Sequence, residues 1–461
     1  MNKKLKSRRK FIKNLASASA MAFGAPFIVP STVFARKGSV PPSDRIVMGC
    51  IGLGGQGRYN MRAFINQPDT QIVALCDVDE GTSEFHKMNM YPDSQGGLRP
   101  ALHETIKEYA RQDRPISPDS ISTYTDFREL LDRNDIDAVT VVTPDHWHGL
   151  ITIAAAEAGK DIYCEKPLTN SIFEGRSVCN SITRYERILQ TGSHERSNDS
   201  VRYAWELVHN GNIGELKEIH INMPNMDPHH KLLRTWTKPM PSMPVPKGFH
   251  YDFWLGPAPR APYTRGRCHF WWRFILDYGG GEMTDRGAHI IDLAQFINGT
   301  DDTGPVELSG KGKPVGNGLY NAFIEYNFEA KYKNGVRLLG SSKGERGLKL
   351  VGSDGWIFIH IHGGRLEASD PALLKRIISG NEIHVERSPG HRRNFLDSIK
   401  TRHKTVAHEE IGHRTATICH LLNIAMLTGR KLEWDPVREQ ITNEPEINKM
   451  LFHPMRSPWS I

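Results

Sequence analysis

A glycine-rich turn after the first apolar run is the feature that most constrains the fold of this 461-residue chain. Gly52, Gly54 and Gly57 have the spacing G-x-G-x-x-G and follow an apolar run at residues 46–50. A second apolar run, at residues 71–76, is followed at once by Asp77, twenty residues after Gly57. This order of strand, turn, helix and acid predicts a βαβ unit that binds a dinucleotide.

Each part of this unit has a separate expected role. The first glycine permits the tight turn, the second lets the backbone approach a pyrophosphate, and the third lets the helix pack on the strand. Gly55 and Gln56 open the helix, whose N-terminus attracts phosphates. Asp77 is expected to accept hydrogen bonds from a ribose 2′-OH and to repel a 2′-phosphate. No Arg or Lys lies between Asp77 and Lys87, so no nearby cation is available for a 2′-phosphate, and the sequence favours NAD over NADP.

The N-terminus carries the pattern of a twin-arginine export signal. Arg8 and Arg9 precede a modest apolar stretch at residues 15–29, and a small-residue cleavage site ends at Ala35. The stretch is too short and too rich in Ala and Ser to anchor the chain stably in a membrane. We therefore expect residues 1–35 to be removed and the protein to be periplasmic. The alternative is a basic disordered tail.

The net charge of +7 is largely a property of this signal. Seven of the 59 basic residues fall within residues 1–35, which contain no acid, so the rest of the chain is formally neutral. The sequence pI of about 9.0 is therefore no argument for nucleic-acid binding, and we expect no nucleic-acid partner. Because the twin-arginine route exports folded proteins and the periplasm has no NAD supply, the cofactor is expected to stay bound during turnover.

The six cysteines have no C-x-x-C spacing, which argues against zinc ribbons and thioredoxin chemistry. Cys50, Cys76 and Cys164 lie in predicted buried strands, where a thiol acts as a small hydrophobic group. An oxidising compartment permits a disulfide. The pattern nevertheless favours mostly free, buried thiols.

The chain is predicted to be an α/β protein with two domains after the signal. Strands and helices alternate at residues 44–168, which predicts a Rossmann domain with a doubly wound parallel sheet. Within residues 169–461, predicted strands at 322–328, 336–341 and 347–351 follow one another without helices. That order predicts a C-terminal α/β domain with an open, mostly antiparallel sheet. A proline-rich loop at residues 224–262 is predicted to be functional or a lid.

Polar motifs lie where ligands bind in such a fold. Residues 143–148 and the pair Glu165 and Lys166 follow predicted strands, whose carboxyl ends face the ligand crevice. Asp285 and His289 are four residues apart on a predicted helix and share a face. A carboxylate, an imidazole and an ammonium group are therefore predicted to converge beside a nicotinamide. The expected cofactor contacts are Gly52, Gly54, Gly55, Gln56, Gly57, Asp77, Thr143, Pro144, His148, Glu165 and Lys166.

These motifs, in this order, resemble the glucose–fructose oxidoreductase, inositol dehydrogenase and MocA (Gfo/Idh/MocA) family. The likeness rests on G-x-G-x-x-G, on T-P-x-x-x-H at residues 143–148, on E-K-P at 165–167 and on D-x-x-x-H at 285–289. It covers nearly all of the chain after the signal. Residues 253–257 and 412–417 look like an exported bacterial branch that acts on carbohydrates. The resemblance implies that the open sheet forms the substrate surface and often the interface of a dimer or tetramer.

The resemblance also implies that Lys166, Asp285 and His289 are catalytic. An imidazole suits the role of base near neutral pH, so His289 would take the proton of a secondary hydroxyl. Lys166 would stabilise charge on the reacting oxygen, and Asp285 would hold the substrate or orient the imidazole. The candidate sugar contacts are His194, Arg196, Trp271, Trp272 and Arg273. A metal at Asp227, His229 and His230 was weighed against a polar His-rich loop, and no metal is expected.

Three functions remain open at this point. The favoured one is an exported NAD-dependent oxidoreductase that acts on a secondary hydroxyl or ketone of a carbohydrate. The alternative is a redox-neutral glycosidase that uses NAD in an oxidation–elimination mechanism. The hydrolytic branch of the family departs from E-K-P at the lysine, which this chain retains. A cofactor-binding sensor is the third, and the intact trio argues against it.

Overall fold

The computed structural model describes residues 40–82, 96–236, 238, 240–316, 318–362 and 364–461. The predicted export signal lies outside these residues, and so do residues 83–95, between the second strand and the helix that begins at Leu98. Among the helices in the described ranges, none has the length and apolar character needed to cross a membrane.

The first sheet is built from short, almost wholly buried strands, as expected for a parallel sheet covered on both faces. Its strands are β1 (Ile46–Ile51), β2 (Thr70–Cys76), β3 (Ser122–Tyr124), β4 (Ala138–Val141), β5 (Asp161–Cys164) and β6 (Leu189–Thr191). All pairs are parallel, in the order β3-β2-β1-β4-β5-β6, which confirms the predicted Rossmann sheet. Because β6 pairs with β5, the sheet continues past residue 168, the predicted end of the first domain.

Helices cover both faces of this sheet and one face of the second. They are α1 (Gly55–Ile65), α2 (Leu98–Arg111), α3 (Phe127–Leu131), α4 (Asp145–Glu157), α5 (Ile172–Tyr185), α6 (Asp199–His209), α7 (Pro228–Thr235), α8 (Tyr251–Leu255), α9 (Arg286–Asn298), α10 (His391–Thr401) and α11 (Glu409–Thr428). Apolar residues of α1, α2 and α10 pack on one face of the parallel sheet, and those of α3, α4 and α5 on the other. Gly429, with φ of 66°, ends α11.

The second sheet is mostly antiparallel, as predicted. Its strands are β7 (Leu216–Asn222), β8 (Glu307–Pro314), β9 (Phe323–Lys331), β10 (Arg337–Ser341), β11 (Gly347–Gly352), β12 (Trp356–Ile359), β13 (Leu366–Ala368), β14 (Leu432–Asp435) and β15 (Gln440–Ile441). They lie in the order β13-β12-β11-β7-β10-β9-β8-β14-β15, and β7 with β10 is the parallel pair. Buried and exposed residues alternate along β9, so one face packs on α9 and α11 while the other stays open.

The proline-rich segment at residues 224–262 is packed at its two helices, α7 and α8, while residues 240–247 between them are mostly exposed and irregular. Phe249, Tyr251 and Trp254 join Trp271 and Tyr278 in a separate buried cluster. The Trp254 carbonyl accepts a hydrogen bond of 3.0 Å from the Trp147 indole, and His146 Nε2 lies 2.9 Å from the same oxygen. These bonds fasten the segment to α4, at the carboxyl end of the parallel sheet, where it forms a wall of the cavity described below.

All six cysteines are buried and none forms a disulfide, as the sequence favours. Cys50, Cys76 and Cys164 lie in β1, β2 and β5, and burial raises the pKa of the Cys50 and Cys164 thiols to about 12. These thiols therefore fill space in the core and are not reactive.

Candidate active site

Close backbone contacts in the glycine-rich turn leave no room for a side chain at Gly52 or Gly57. Gly52 has φ of +84°, and a Cβ there would lie 2.5 Å from the Val142 carbonyl oxygen. A Cβ on Gly57 would lie 2.0 Å from the Gly52 oxygen. The first and third glycines are therefore required by packing. Helix α1 then begins at Gly55 without a side-chain cap, so its first amides remain available to an anion.

A cavity of about 870 Å³ opens beside this turn, at the carboxyl end of the parallel sheet. Every residue predicted in the sequence for the cofactor or for catalysis lines it, and so do His194, Trp272 and Arg273. The glycine turn at one end and the predicted catalytic trio at the other thus share one space. That arrangement suits a dinucleotide whose nicotinamide end reaches the trio.

Asp77 lies at the end of β2 and fastens the glycine turn. Its carboxylate accepts a 2.6 Å hydrogen bond from the Leu53 amide and a 2.8 Å bond from the Asp79 amide. Burial is the largest influence on this carboxyl group and raises its pKa to about 7, although the amides oppose the shift. Asp77 also lines the cavity. Its contact with a ribose stays a prediction.

The loop of Glu165 and Lys166 is braced from two sides. Glu165 accepts hydrogen bonds from Asn60, at 2.8 Å, and from Gln56, at 3.2 Å. The two ring nitrogens of His148 lie 2.8 Å from the Pro167 carbonyl oxygen and 2.9 Å from that of Thr143. Burial lowers the pKa of His148, and a neutral imidazole donates to only one of these carbonyls while it bridges the two loops. His148 also lines the cavity, and its contact with a nucleotide or a sugar stays a prediction.

Lys166 and Asp285 form the central ion pair of the cavity. The Lys166 ammonium donates to the Asp285 carboxylate at 2.6 Å and to its backbone carbonyl at 2.9 Å. Arg273 Nε lies 3.5 Å from the same carboxylate oxygen. Burial opposes ionisation of Asp285, but the two cations outweigh burial and hold its pKa well below the usual range. Asp285 is thus a fixed anion that anchors Lys166 from the second half of the chain.

His289 lies one turn along α9 from Asp285 and is only 8% exposed. Its ring packs against those of His194 and His362, with centroids 4.9 and 5.6 Å away. Among the described residues, none makes a hydrogen bond to its Nδ1. Burial, and then the charge of Lys166, lowers the pKa of His289 well below its usual value. The imidazole is therefore neutral at physiological pH and free to accept a proton.

Asp145 is a buried acid of the cavity that sequence reasoning missed. It begins α4, and its carboxylate accepts a 3.2 Å hydrogen bond from the Thr284 hydroxyl. Burial raises its pKa to about 7, while Lys166 and Arg273 oppose the shift. The sequence could have indicated this acid, because Asp145 lies between Pro144 and His148 in the 143–148 motif. It adds a second carboxyl group to the trio.

Two more lining residues, His362 and Arg392, come from distant segments, and Glu195 is buried beside His194 outside the lining. Glu195 accepts from His362, 167 positions away, at 3.0 Å. Arg392 donates to Asn60 and stacks on the Tyr59 ring, with its guanidinium carbon 4.9 Å from the centroid. No local pattern marks these residues, because only the fold brings them together.

Two predicted sugar contacts are wrong. The Arg196 side chain is 2% exposed, and it pairs with Asp292 and Asp301 at 2.7 Å each. The guanidinium neutralises a carboxylate buried in α9 and does not line the cavity. Trp271 is 1% exposed and belongs to the aromatic core. Burial of both side chains leaves no surface for a sugar.

The group of Asp227, His229 and His230 lies outside the cavity lining. Its donor atoms are close enough to hold a metal, but the Asp227 carboxylate already pairs with Arg286, at 3.1 Å, and with Arg346. His230 Nε2 lies 2.7 Å from Glu282 in the same network. The Asp227 carboxylate, which would be the oxygen ligand of a metal here, is therefore already paired with two guanidinium groups.

Family comparisons match both halves of the chain. The family model described as "Oxidoreductase family, NAD-binding Rossmann fold" matches residues 46–193. The model described as "Oxidoreductase family, C-terminal alpha/beta domain" matches residues 198–461. Together they cover both sheets and the cavity between them.

Curated relatives match parts of the chain. Levoglucosan dehydrogenase of Pseudarthrobacter phenanthrenivorans is 27% identical over 38% of this chain and 36% of its own length. A glycosyl hydrolase family 109 protein of Shewanella pealeana is 25% identical over 38% of this chain and 35% of its own. The uncharacterized oxidoreductase YrbE of Bacillus subtilis is 25% identical over 60% of this chain and 59% of its own. The matches thus span from about a third to three fifths of these relatives.

Solved structures share the fold over most of the chain. A levoglucosan dehydrogenase in complex with NADH and levoglucosan superposes with a TM-score of 0.57 at 17% identity, over 84% of this chain and 99% of that one. The WlbA dehydrogenase from Bordetella pertussis, in complex with NADH and UDP-GlcNAcA, gives 0.57 at 14% identity, over 85% and 99%. At these identities the likeness shows the fold alone.

Proposed function

The chain belongs to the Gfo/Idh/MocA oxidoreductase family, and from this membership we propose that it oxidises a secondary hydroxyl, or reduces a ketone, of a carbohydrate. Residues 46–193 form its NAD-binding Rossmann domain. The observation that carries the proposal is the Lys166–Asp285 ion pair beside a neutral His289, in the same cavity as the glycine turn. We assign the cofactor to this domain and the substrate surface to the C-terminal domain, residues 198–461.

Bound NAD supplies the hydride acceptor, or the hydride donor in the reverse direction. Lys166 donates a hydrogen bond to the reacting oxygen and stabilises the negative charge that develops there. Asp285, whose carboxylate also pairs with Arg273, holds the ammonium group in place. The neutral imidazole of His289 takes the hydroxyl proton. Phe249, Phe253 and Trp254 give this end of the cavity an apolar wall.

The relatives and the cavity wall both support a sugar substrate. One relative is named for a dehydrogenase of levoglucosan. Trp272 lines the cavity, and the Arg273 guanidinium carbon lies 4.6 Å from its ring centroid. An aromatic face packs on the C–H groups of a sugar, and arginine donates to hydroxyl groups. His194, whose side chain is 41% exposed, adds a polar group to the cavity lining.

A redox-neutral glycosidase is the second candidate, because relatives of glycosyl hydrolase family 109 match the chain at similar identity. In that reaction, oxidation of a sugar hydroxyl acidifies the neighbouring C–H, the glycosidic bond leaves by elimination, and the hydride returns. The E-K-P lysine favours the dehydrogenase, since the hydrolytic branch departs from it.

A product assay separates the two candidates. Purified protein is mixed with free sugars, anhydrosugars and nitrophenyl glycosides, and absorbance is followed at 340 nm in a single turnover. A dehydrogenase gives a stoichiometric rise at 340 nm and a keto-sugar by mass spectrometry. A glycosidase releases nitrophenol catalytically with no lasting rise. A protein that does neither with any carbohydrate contradicts the proposal.

We further propose export and tight cofactor binding, from Arg8, Arg9 and the cleavage site at Ala35. Cell fractionation of the full chain against a form with Lys at both arginines tests export, which predicts a periplasmic product only for the native signal. NAD or NADH is expected to copurify in about equimolar amount, released on denaturation and measured at 260 and 340 nm. A nucleotide-free protein would contradict tight binding.

We propose a homo-oligomer, either a dimer or a tetramer, whose subunits associate through the open face of the second sheet. Support comes from the alternation of burial along β9 and β10, which leaves one face uncovered by helices. Light scattering of the purified protein measures the mass directly. A monomer at micromolar concentration would refute it.

A further inference from the structure

We propose that His194, Glu195 and His362 form a binding site for a divalent first-row transition metal, of the Zn²⁺ class, in the wall of the substrate cavity. A carboxylate oxygen and two imidazole nitrogens of these residues lie within 4.8 Å of one another. Both histidines line the cavity, and Glu195 is buried behind them. Two nitrogens and one oxygen suit zinc, manganese or iron better than calcium or magnesium.

The spacing of the donor atoms fits one small ion. His194 Nε2 lies 3.4 Å from Glu195 Oε1, and His362 Nδ1 lies 3.0 Å from the same oxygen. Ligands of a tetrahedral zinc ion, each about 2.0–2.1 Å from the metal, lie about 3.4 Å apart. Small adjustments of the side chains would therefore bring all three atoms onto one metal.

The fold brings these ligands together from its two halves. His194 begins a 3-10 helix, His194–Ser197, directly after β6 of the parallel sheet. His362 lies in the turn after β12 and has φ of 65°, a left-handed conformation that histidine and asparagine adopt more readily than most residues. From there its Nδ1 reaches Glu195 of the first half.

A third imidazole borders the site. His289 is more than nine-tenths buried, and none of the described residues makes a hydrogen bond to its Nδ1. Its ring lies 4.9 Å from that of His194. A metal held by two histidines and one glutamate keeps a coordination position open, as catalytic zinc sites do. That position would face the cavity, next to the base.

The role of the metal rests on the proposed function. The open position would take a hydroxyl or carbonyl oxygen of the sugar and so fix the ring before proton transfer to His289. Sequence reasoning considered only the Asp227 group for a metal, because His362 is far from His194 along the chain. The competing explanation is a plain hydrogen-bonded cluster in which Glu195 accepts from two histidines.

Metal binding is tested on the full chain with its bound nucleotide, using ZnCl₂ and CoCl₂ as probes. After EDTA treatment and dialysis, we expect one equivalent of zinc, bound more tightly than about 1 µM in calorimetry and counted by elemental analysis. Cobalt should give the visible bands of a four- or five-coordinate site. Glu195→Gln and His362→Asn should each lose at least about 100-fold in zinc affinity. Asparagine is chosen because it tolerates the left-handed backbone.

His220→Ala is the matched control. His220 is a half-exposed histidine that pairs with Glu218 at 2.8 Å on the second sheet, and it does not line the cavity. This variant should keep the full equivalent of zinc. Nucleotide content and melting temperature report folding of every variant. Wild-type protein without bound zinc or cobalt, or unchanged zinc affinity in a folded His362→Asn, would overturn the proposal.

The readouts separate this proposal from the proposed function. Zinc bound at one equivalent in a protein that oxidises no carbohydrate supports the site and contradicts the function. Carbohydrate oxidation at full rate in a protein that binds no zinc supports the function and overturns the site.

Discussion

The two ends of the cavity are built in different ways. The cofactor end is made of contiguous backbone: residues 52–57 form the turn, and Asp77 fastens it from the next strand. The catalytic end is made of side chains that come from both halves of the chain, with Lys166 held by Asp285 across 119 positions. Local steric rules therefore determine the first end, whereas the second depends on how the two sheets pack.

Buried acids also behave differently at the two ends. Asp77 is surrounded by amides, and burial raises its pKa to about 7. Asp285 is desolvated as well, but Lys166 and Arg273 hold its pKa well below the usual range. One pKa unit corresponds to about 1.4 kcal/mol between the two protonation states. Lys166 and Arg273 thus outweigh burial at Asp285, which is in direct contact with both, but not at Asp145.

The largest expected effect is at the catalytic end. Lys166→Met keeps the side-chain volume but removes the ammonium group, so the reacting oxygen loses its charge stabilisation. We expect single-turnover reduction of bound NAD, followed at 340 nm, to slow by about 10³-fold. Lys311→Ala, an exposed lysine on β8, should leave the rate unchanged.

A double-mutant cycle then tests whether the trio acts as one unit. His289→Ala alone should cost about 10²–10⁴ in rate. Combined with Lys166→Met, the loss should fall short of the product of the single losses, because both groups serve one hydride and proton transfer. Wild-type hydride transfer in both single variants would place the chemistry elsewhere.

At the cofactor end, we expect a substitution that causes a steric clash to weaken NAD binding. Gly57→Ala places a methyl group against the Gly52 carbonyl, so the turn must shift. We expect NAD affinity of stripped protein to fall about 10–100-fold, with a stability loss of about 1–3 kcal/mol. Titration of NAD and thermal unfolding measure the two effects.

Gly380→Ala is the control, because a Cβ there has open space. Gly55→Ala also has open space within the protein. If Gly55→Ala loses NAD affinity while its melting temperature stays at the wild-type value, the nucleotide lies over that residue. Normal NAD affinity in Gly57→Ala would show that the turn adapts, and the contrast between the two ends would weaken.

How much the sequence predicts follows the same division. The glycine spacing, the alternation of strands and the run of strands without helices predict both sheets, since each rests on a local pattern. The mostly antiparallel second sheet is confirmed, with the parallel pair β7 and β10 as its exception. Parallel pairing of distant strands leaves no local mark on residues 216–222 or 337–341.

The site was harder to predict than the fold. Local motifs placed Lys166, Asp285 and His289 in one cavity. Arg196 was assigned to the sugar because its charge is visible in the sequence, while its partners Asp292 and Asp301, about a hundred positions away, are not. Asp145 lies inside the 143–148 motif, but its burial beside Lys166 and Arg273 is visible only in the fold. A charged residue type predicts a role only when its partners are known.

An effect of similar size on NAD affinity is expected for the acid that fastens the turn. Asp77→Asn keeps an acceptor for the Leu53 amide, so the turn should hold. NAD affinity should fall by about 1–3 kcal/mol, the worth of a hydrogen bond to a charged group, and discrimination against NADP should relax. Titrating both cofactors into stripped protein measures this. Unchanged affinity for both would place the ribose contact elsewhere.

The smallest expected effect is a change in pH dependence at Asp145, between the two ends. Burial raises its pKa to about 7 in the folded protein, against about 3.9 in an unfolded chain. Between these values the folded state holds a proton that the unfolded state has released, so stability falls as pH rises through this window. Asp145→Asn lacks this penalty. Its free energy of unfolding, relative to wild type, should rise by on the order of 1–3 kcal/mol from pH 4 to pH 8.

Urea unfolding at several pH values measures the difference in the free energy of unfolding. Asp119→Asn, at an exposed acid, is the control, and its free energy of unfolding should change with pH as that of wild type does. Subtracting wild type removes the contributions of Asp77 and Glu174, whose pKa values burial also raises. A flat difference for Asp145→Asn would mean that Lys166 keeps Asp145 ionised at all these pH values. The catalytic end would then hold two fixed anions around one ammonium group, and the contrast with Asp77 would be sharper than the structure now indicates.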